Sequence, residues 1–193
     1  MTSNLTVSRD AAWQLLTEWT LGESLRKHAL AVEAAVRGYA RTFSEDEEAW
    51  GVVALLHDFD YERYPTPADH PFRGCEELTR RGYPEWVTRA ILSHADYSGV
   101  SRDSRLEQTL YACDEMAGFV TAAALVRPSR SVLDLETPSV LKRMKDKAFA
   151  RAVPRDDLRR GAEGLGLSLD AHVTCVIAFM REQADALGLR GTF

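Results

Sequence analysis

The sequence predicts an all-α protein, a compact multi-helix bundle. Apolar residues recur at a spacing near 3.6 along almost the whole chain, which is the period of an amphipathic helix. No segment shows the strict alternation of apolar and polar residues that a half-buried strand requires. Helix-breaking residues separate the periodic segments at Gly22, Gly82, Gly99 and Pro128.

Capping residues set the predicted helix boundaries. Ser8 is placed to cap the first helix, and Ser44 followed by Glu47 has the pattern of a capping box that opens the third helix. Prolines exclude regular helix between residues 59 and 70, so we expect a loop there. The predicted helices cover about residues 9–20, 23–42, 45–57, 71–81, 84–94, 103–126, 139–145, 154–161 and 169–187.

Composition indicates one globular domain over residues 1–193. The chain is 45% hydrophobic with a net charge of -5, which suits a sizeable core. We expect the helices of about 137–188 to pack on a core of about 21–127. No apolar run approaches the roughly 20 residues that span a bilayer, and the segment from Met1 to Arg9 lacks the apolar stretch of a signal peptide. We therefore expect a cytoplasmic protein without a membrane partner.

Cysteine usage and charge exclude several other classes. Cys75, Cys113 and Cys175 are odd in number and lack CxxC spacing, so neither a disulfide framework nor a thiolate zinc site is indicated. Mild net acidity argues against nonspecific binding of nucleic acid, which depends mainly on Lys and Arg contacts to phosphates. The expected partner is a small molecule, and the oligomeric state stays open.

Five polar residues lie on otherwise apolar helix faces, namely His28, the adjacent pair His57 and Asp58, then His94 and Asp114. Residues three and four apart share a helix face, and the neighbours of these side chains are mostly Ala, Val, Leu and Ile. An unpaired inward carboxylate such as Asp114 costs several kcal/mol of desolvation, so it needs a cation or a charged partner. The pattern predicts a shared metal site.

This ordered set resembles the HD-domain superfamily of metal-dependent phosphohydrolases, named for its His-Asp pair. The similarity covers about Leu21 to Ala124 and includes the stretches "ALLHDFDYERYP" and "YACDEMAGFV". In that family the first His, the pair and the last Asp bind one divalent ion. The resemblance assigns this role to His28, His57, Asp58 and Asp114.

Two further histidines lie between the pair and the last Asp, His70 and His94. That order resembles the two-metal subgroup of the superfamily. It implies that Asp58 bridges two ions and that His70 and His94 hold the second. Ligands of nitrogen and oxygen without thiolate suit iron, manganese, nickel or zinc, and the sequence does not distinguish these from magnesium.

Candidates for catalysis and substrate binding are less specific. Asp60 and Glu62 follow the pair and are candidate acids beside Asp58, with a solvated loop carboxylate as the alternative. Some relatives carry Lys or Glu three residues after the Asp of the pair, where this chain has Tyr61. Possible phosphate-binding cations are Arg73 and, in "KRMKDKAFAR", Lys145 and Lys147.

Not every inward histidine predicts a metal ligand. His172 also shares its helix face with apolar residues, yet it matches no motif, and we expect a core histidine with hydrogen-bond partners.

Three functions fit the ligand set. The first is hydrolysis of a phosphoester of a nucleotide or small phosphorylated metabolite. The second is activation of O₂ at a di-iron centre, as in the myo-inositol oxygenases, which share this ligand pattern. The third is a noncatalytic metal-containing domain that binds a nucleotide or partner and signals by changing shape.

Overall fold

The computed structural model describes residues 8–191, and these form an all-α fold. They contain nine α-helices and a short 3₁₀ turn, and no strand occurs among them. The predicted fold class is confirmed. The helices are α1 Arg9–Trp19, α2 Glu23–Phe43, α3 Glu47–Leu56, α4 Phe72–Arg80, α5 Glu85–His94, α6 Arg105–Leu125, α7 Thr137–Met144, α8 Arg155–Gly164 and α9 Leu169–Glu182, with the 3₁₀ turn at Asp96–Ser98.

Two long helices, α2 and α6, form the centre of the bundle. Helix α2 packs against α3, α6 and α9, and α6 packs against α2, α5, α8 and α9. Their facing sides carry buried small and aliphatic residues, among them Val32, Ala35, Leu110 and Ala117. Small side chains let helix backbones approach closely, and this brings polar residues of α2 and α6 within reach of one another.

One predicted cap is confirmed and one is wrong. Ser8 caps α1, with its Oγ accepting from the backbone N–H of Ala11 at 3.3 Å. Ser44 does not open α3; it ends α2 in the left-handed conformation, at φ 57°. Asp46 caps α3 instead, accepting from the N–H of Ala49 at 3.0 Å. A serine that must turn the chain at one helix end cannot also cap the next.

Helix α6 starts with a capping box formed by Ser104 and Glu107. The Ser104 hydroxyl accepts from the N–H of Glu107 at 3.2 Å, and the Glu107 carboxylate accepts from the N–H of Ser104 at 2.7 Å. Helix α9 ends at Glu182, short of the predicted 187, because residues 183–188 form turns.

The C-terminal helices cover the central pair. Helix α9 packs on α2 so closely that a Cβ on Gly38 would lie 2.1 Å from the Phe179 ring, and a Cβ on Gly161 of α8 would lie 2.7 Å from Cα of Ala112. The predicted division into one domain of 193 residues stays a prediction, since residues 1–7 and 192–193 lie outside the described part. The segment for which no signal peptide was predicted lies almost entirely there.

Within residues 8–191, no single helix combines the length and hydropathy needed to cross a membrane. Helices α8 and α9 meet that criterion only as a pair, and the pair is bent by 90°. All three cysteines are free, with Cys75 and Cys113 buried and Cys175 half-buried.

Candidate metal centre

Four helix segments bring six candidate ligands together. His28 lies on α2 and Asp114 on α6, the two helices at the centre of the bundle. His57 caps the C-terminus of α3 and His94 is the last residue of α5. The ligands Asp58 and His70 lie at the two ends of the loop between α3 and α4. Adjacent helical side chains diverge by about 100°. His57 and Asp58 can therefore face one site only because regular helix ends just before them, at the C-terminus of α3.

His28, His57 and Asp114 form the first cluster. Oδ1 of Asp114 lies 3.0 Å from Nε2 of His28 and 3.4 Å from Nε2 of His57. One donor atom from each residue lies within 4.8 Å of the others. His57 is fully buried, whereas His28 and Asp114 retain some exposure. This group is able to hold one metal ion.

Asp58, His70 and His94 form the second cluster. Oδ1 of Asp58 lies 3.2 Å from Nε2 of His70 and 3.3 Å from Nε2 of His94. The two Nε2 atoms are themselves 3.3 Å apart. This group is able to hold a second ion, so all six residues from the motif fall into two adjacent trios.

Asp58 lies between the two clusters. While its Oδ1 faces His70 and His94, its Oδ2 is 3.6 Å from Nε2 of His57 and 3.9 Å from Nε2 of His28. Each carboxylate oxygen therefore faces one pair of imidazoles. This is the arrangement required of a carboxylate that bridges two ions.

The three buried imidazoles are oriented by hydrogen bonds at Nδ1. Nδ1 of His57 lies 2.7 Å from the carbonyl oxygen of Ala54, and Nδ1 of His94 lies 2.5 Å from that of Ile91. Nδ1 of His70 lies 2.7 Å from Oδ1 of Asp60. Since carbonyl and carboxylate oxygens accept, each Nδ1 carries the proton, and in a neutral ring each Nε2 presents a lone pair to the site.

The lone pairs show that the residues fit a metal. Nε2 of His57 is buried and has no hydrogen-bond partner among the described residues, and a buried orphan of this kind is costly. Nε2 of His70 and Nε2 of His94 lie 3.3 Å apart, so a proton or a metal ion is needed to prevent repulsion between two lone pairs. The donor set of imidazole nitrogens and carboxylate oxygens suits a divalent transition metal.

The same geometry shifts the pKa values of four candidate ligands. Burial alone lowers the pKa of His57, but the charges of Asp58 and Asp114 outweigh it and raise that pKa to about 10. Burial also lowers the pKa of His70, and hydrogen bonds to Asp58 and Asp60 raise it to about 9. Burial raises the pKa of Asp58 and Asp114, while the positive charge of His57 holds both well below the usual range. The site requires positive charge, from protons or from metal.

Asp60, a predicted catalytic acid, has both carboxylate oxygens in hydrogen bonds, and its catalytic role stays a prediction. Its side chain is buried, Oδ1 is bonded to His70, and Oδ2 accepts from the N–H of Gly74 at 2.7 Å. A Cβ on Gly74 would lie 2.8 Å from Cγ of Asp60, so the close approach needs glycine. With both oxygens committed, Asp60 orients His70 from behind.

Two further predicted residues make contacts unrelated to catalysis or phosphate. Glu62 accepts from the backbone N–H groups of Leu21 and Gly22 at 2.8 and 2.9 Å, so it fixes the start of α2. The exposed Arg73 pairs with Asp69 at 3.3 Å and with Glu76 at 3.0 Å. The catalytic role of Glu62 and the phosphate-binding role of Arg73 stay predictions.

The basic residues after α6 are not joined to the ligands. Lys145 and Lys147 are exposed, and none of the described contacts of the six ligands involves them. Their role in substrate binding stays a prediction.

His172 lies in the core, as a structural histidine would. Its Nε2 lies 2.9 Å from the carbonyl oxygen of Ala112, and its Nδ1 lies 2.6 Å from the hydroxyl of Tyr39. The first nitrogen donates and the second accepts, so a neutral ring satisfies both. Burial lowers its pKa.

Two tyrosines and a glycine lie close to the ligands, and of these sequence reasoning missed Gly118. Tyr61 lies edge-on to the His70 ring at 5.1 Å between centroids, and the pKa of Tyr97 is raised to about 12 by partial burial and the charge of Asp58. Gly118, one turn after Asp114, leaves open space beside His28. A glycine inside a helix costs about 1 kcal/mol relative to alanine. The presence of Gly118 within the predicted helix was therefore a sequence signal that the backbone there lies beside something close.

Fold and site together define a helical protein with two adjacent His/Asp clusters, each able to hold a metal ion. Residues 25–118 match the family model of the HD domain, and this span contains all six candidate ligands. This span of the chain is an HD domain. Comparisons with curated proteins and with solved structures found no match.

Proposed function

We propose that this protein is a metal-dependent phosphohydrolase that cleaves a phosphoester of a nucleotide or another small phosphorylated metabolite. The observation that carries the proposal is the position of Asp58, whose two oxygens face different pairs of imidazoles at 3.2 to 3.9 Å. The match to the HD domain supports the same reaction class.

Each residue of the centre has a role in this proposal. His28, His57 and Asp114 would hold one ion, His70 and His94 would hold the other, and Asp58 would be shared between them. Divalent ions in such a site lower the pKa of a coordinated water and polarise a phosphoryl oxygen. Asp60 and the carbonyls of Ala54 and Ile91 keep the imidazoles in the tautomer that ligation requires.

The net reaction is hydrolysis. The oxygen of water forms a new bond to phosphorus, the ester P–O bond breaks, and the leaving oxygen takes up a proton, so that the products are phosphate and an alcohol. The expected partner is a small phosphorylated molecule. The cytoplasmic location, and the expectation that neither membranes nor nucleic acids bind, stay predictions from composition.

The test is release of phosphate from a panel of nucleotides and sugar phosphates with Mn²⁺, Fe²⁺, Ni²⁺, Zn²⁺ or Mg²⁺. The reaction is run in air and under anaerobic conditions, with Asp58→Asn as the inactive variant and His172→Gln as the control. We expect release with at least one metal, equal rates with and without oxygen, and loss in Asp58→Asn.

Other outcomes separate the alternatives. Oxygen consumption by an iron-loaded protein that releases no phosphate would favour the di-iron oxygenase. Ligand-induced stabilisation without any chemical change of the ligand would favour the noncatalytic binding domain.

A further inference from the structure

A cavity of about 640 Å³ opens beside the first cluster. Of the six candidate ligands, only His28 lines it. Its walls come from the start of α2, from the second half of α6 and from the segment after α9. The residues that give it an apolar character are Leu25, Ala122, Leu125, Leu187 and Leu189.

His28 offers the cavity a polar contact at its inner end. Nε2 of His28 faces Asp114 at 3.0 Å, whereas Nδ1 has no hydrogen-bond partner among residues 8–191. A Cβ placed on Gly118 would lie 3.8 Å from this Nδ1. The nitrogen therefore lies on the side of the ring that borders the cavity, where it is free to donate to a bound molecule.

The outer wall is held in place by hydrogen bonds. The N–H of Val132 donates to the carbonyl of Leu189 at 2.8 Å, and the hydroxyl of Ser131 donates to the carbonyl of Arg190 at 2.7 Å. Gly188 adopts φ 66°, and a Cβ there would lie 3.1 Å from Nζ of Lys27. These contacts fix the wall without a ligand, so the cavity is largely preformed.

The charge at the cavity mouth is positive. Lys27 pairs with Glu23 at 2.6 Å, which compensates its charge. Arg130 also lines the cavity and is exposed, and within the described part of the chain it has no ion pair or side-chain hydrogen bond. Its guanidinium is therefore available to an anion.

We propose that this cavity takes the leaving group of the substrate, and that this group is an apolar chain or ring ending in a second negative charge. The apolar walls bind the body of the group, Nδ1 of His28 binds an acceptor near the ester, and Arg130 binds the distal charge. This inference rests on the proposed function, because it places the phosphoester at the ion held by His28.

The test uses three phosphonates, which resist hydrolysis, and the metal-loaded protein. Methylphosphonate has no tail, pentylphosphonate has an apolar tail, and 5-carboxypentylphosphonate has a tail ending in a carboxylate. Calorimetric titration measures the affinity of each. We expect affinity to rise by at least about tenfold from the first to the second, the gain expected when about two of the four added carbons become buried. We expect about tenfold again for the third, because a charge-assisted bond forms.

Variants then test which residue is responsible for each increase in affinity. Thr121→Trp fills the cavity and reduces both tailed compounds to the affinity of methylphosphonate, and Ala122→Leu serves if the first variant does not fold. Val126, the C-cap residue of the same helix, lines a different groove, and Val126→Trp leaves all three affinities unchanged. Arg130→Gln removes only the gain from the carboxylate, whereas Arg151→Gln, which also removes an exposed arginine, removes nothing.

Equal binding of the three compounds, no binding of any, or a tail preference that survives both cavity-filling variants would overturn the inference. These affinities do not depend on turnover. Phosphate release without a tail preference leaves the proposed function standing and refutes the cavity. A tail preference without phosphate release refutes the proposed function and the leaving-group role, and leaves the cavity only as a binding site for tailed anions.

Discussion

The carboxylate of Asp60 holds His70 from behind, 2.7 Å from its Nδ1, while Nε2 of the same ring lies 3.2 Å from Asp58. The imidazole thus lies between a buried orienting carboxylate and the carboxylate shared by both clusters. Such a partner fixes the ring and makes its free nitrogen a better ligand.

We therefore expect Asp60→Asn to weaken metal binding at one cluster only. An amide can accept from His70 only by turning its NH₂ toward the N–H of Gly74, so two donors would face each other. Affinity for the ion at His70 and His94 should fall by about ten- to a hundredfold, measured by metal titration. Asp69→Asn, at a partly buried carboxylate of the same loop, is the control. Equal losses at both clusters would contradict the assignment.

The number of metal ions bound per chain depends on whether the second cluster, Asp58, His70 and His94, holds an ion. Wild-type protein reconstituted with metal should bind two ions per chain, one for each trio. His94→Ala removes a ligand from one trio and should reduce the content toward one, while His172→Gln should leave it at two. Elemental analysis measures this, and a single ion in the wild type would assign the protein to a one-metal branch.

Metal binding should release protons. The pKa values of His57 and His70 in the metal-free protein, about 10 and about 9, lie above their ordinary value of 6.5. Both rings therefore carry a second proton at pH 7.5, whereas a ligand must be neutral. We expect release of about two protons per chain at that pH, measured by calorimetry in buffers of different ionisation enthalpy. Binding without proton release would show that these rings are neutral beforehand.

The same pKa values set the stability of the metal-free protein. A histidine whose folded pKa is raised stabilises the fold fully below the unfolded value of 6.5, and this contribution is lost as pH rises through about 9 and 10. After chelation, the melting temperature should therefore fall as pH rises from 6.5 to 10. With metal bound it should be higher and depend less on pH, and chelation without any effect would contradict the metal site.

Sequence reasoning could predict ligand positions on helices because the register and the ends of a helix are set by nearby residues. His28 and Asp114 lie on helices whose register fixes which side chains face inward, and His57 lies at a helix end that a run of apolar residues makes recognisable. Asp60 was not accessible in this way. Its neighbours His70 and Gly74 are set by the path of a loop, and residue type alone did not distinguish a buried orienting carboxylate from a solvated acid.

The cap of α3 and the cavity beside His28 also depend on contacts that residue type alone does not reveal. Ser44 and Asp46 are both good caps, and the choice between them depends on where α2 ends. The cavity beside His28 is closed by Leu187 and Leu189, which lie about 160 residues away along the chain and reach it only through the packing of α9 on α2. Such long-range contacts leave no periodic signal.

His172 should make the protein less stable in acid. Burial lowers its pKa below 6.5, so on acidification the unfolded chain takes up a proton that the folded ring refuses, and stability falls below pH 6.5. The loss is up to about 1.4 kcal/mol for each pH unit until the folded ring also titrates. His172→Gln can donate to Ala112 and accept from Tyr39 without titrating. Urea unfolding at pH 7.5, 6.5 and 5.5 should show wild type losing stability relative to this variant, and parallel curves would mean that the buried ring is already charged.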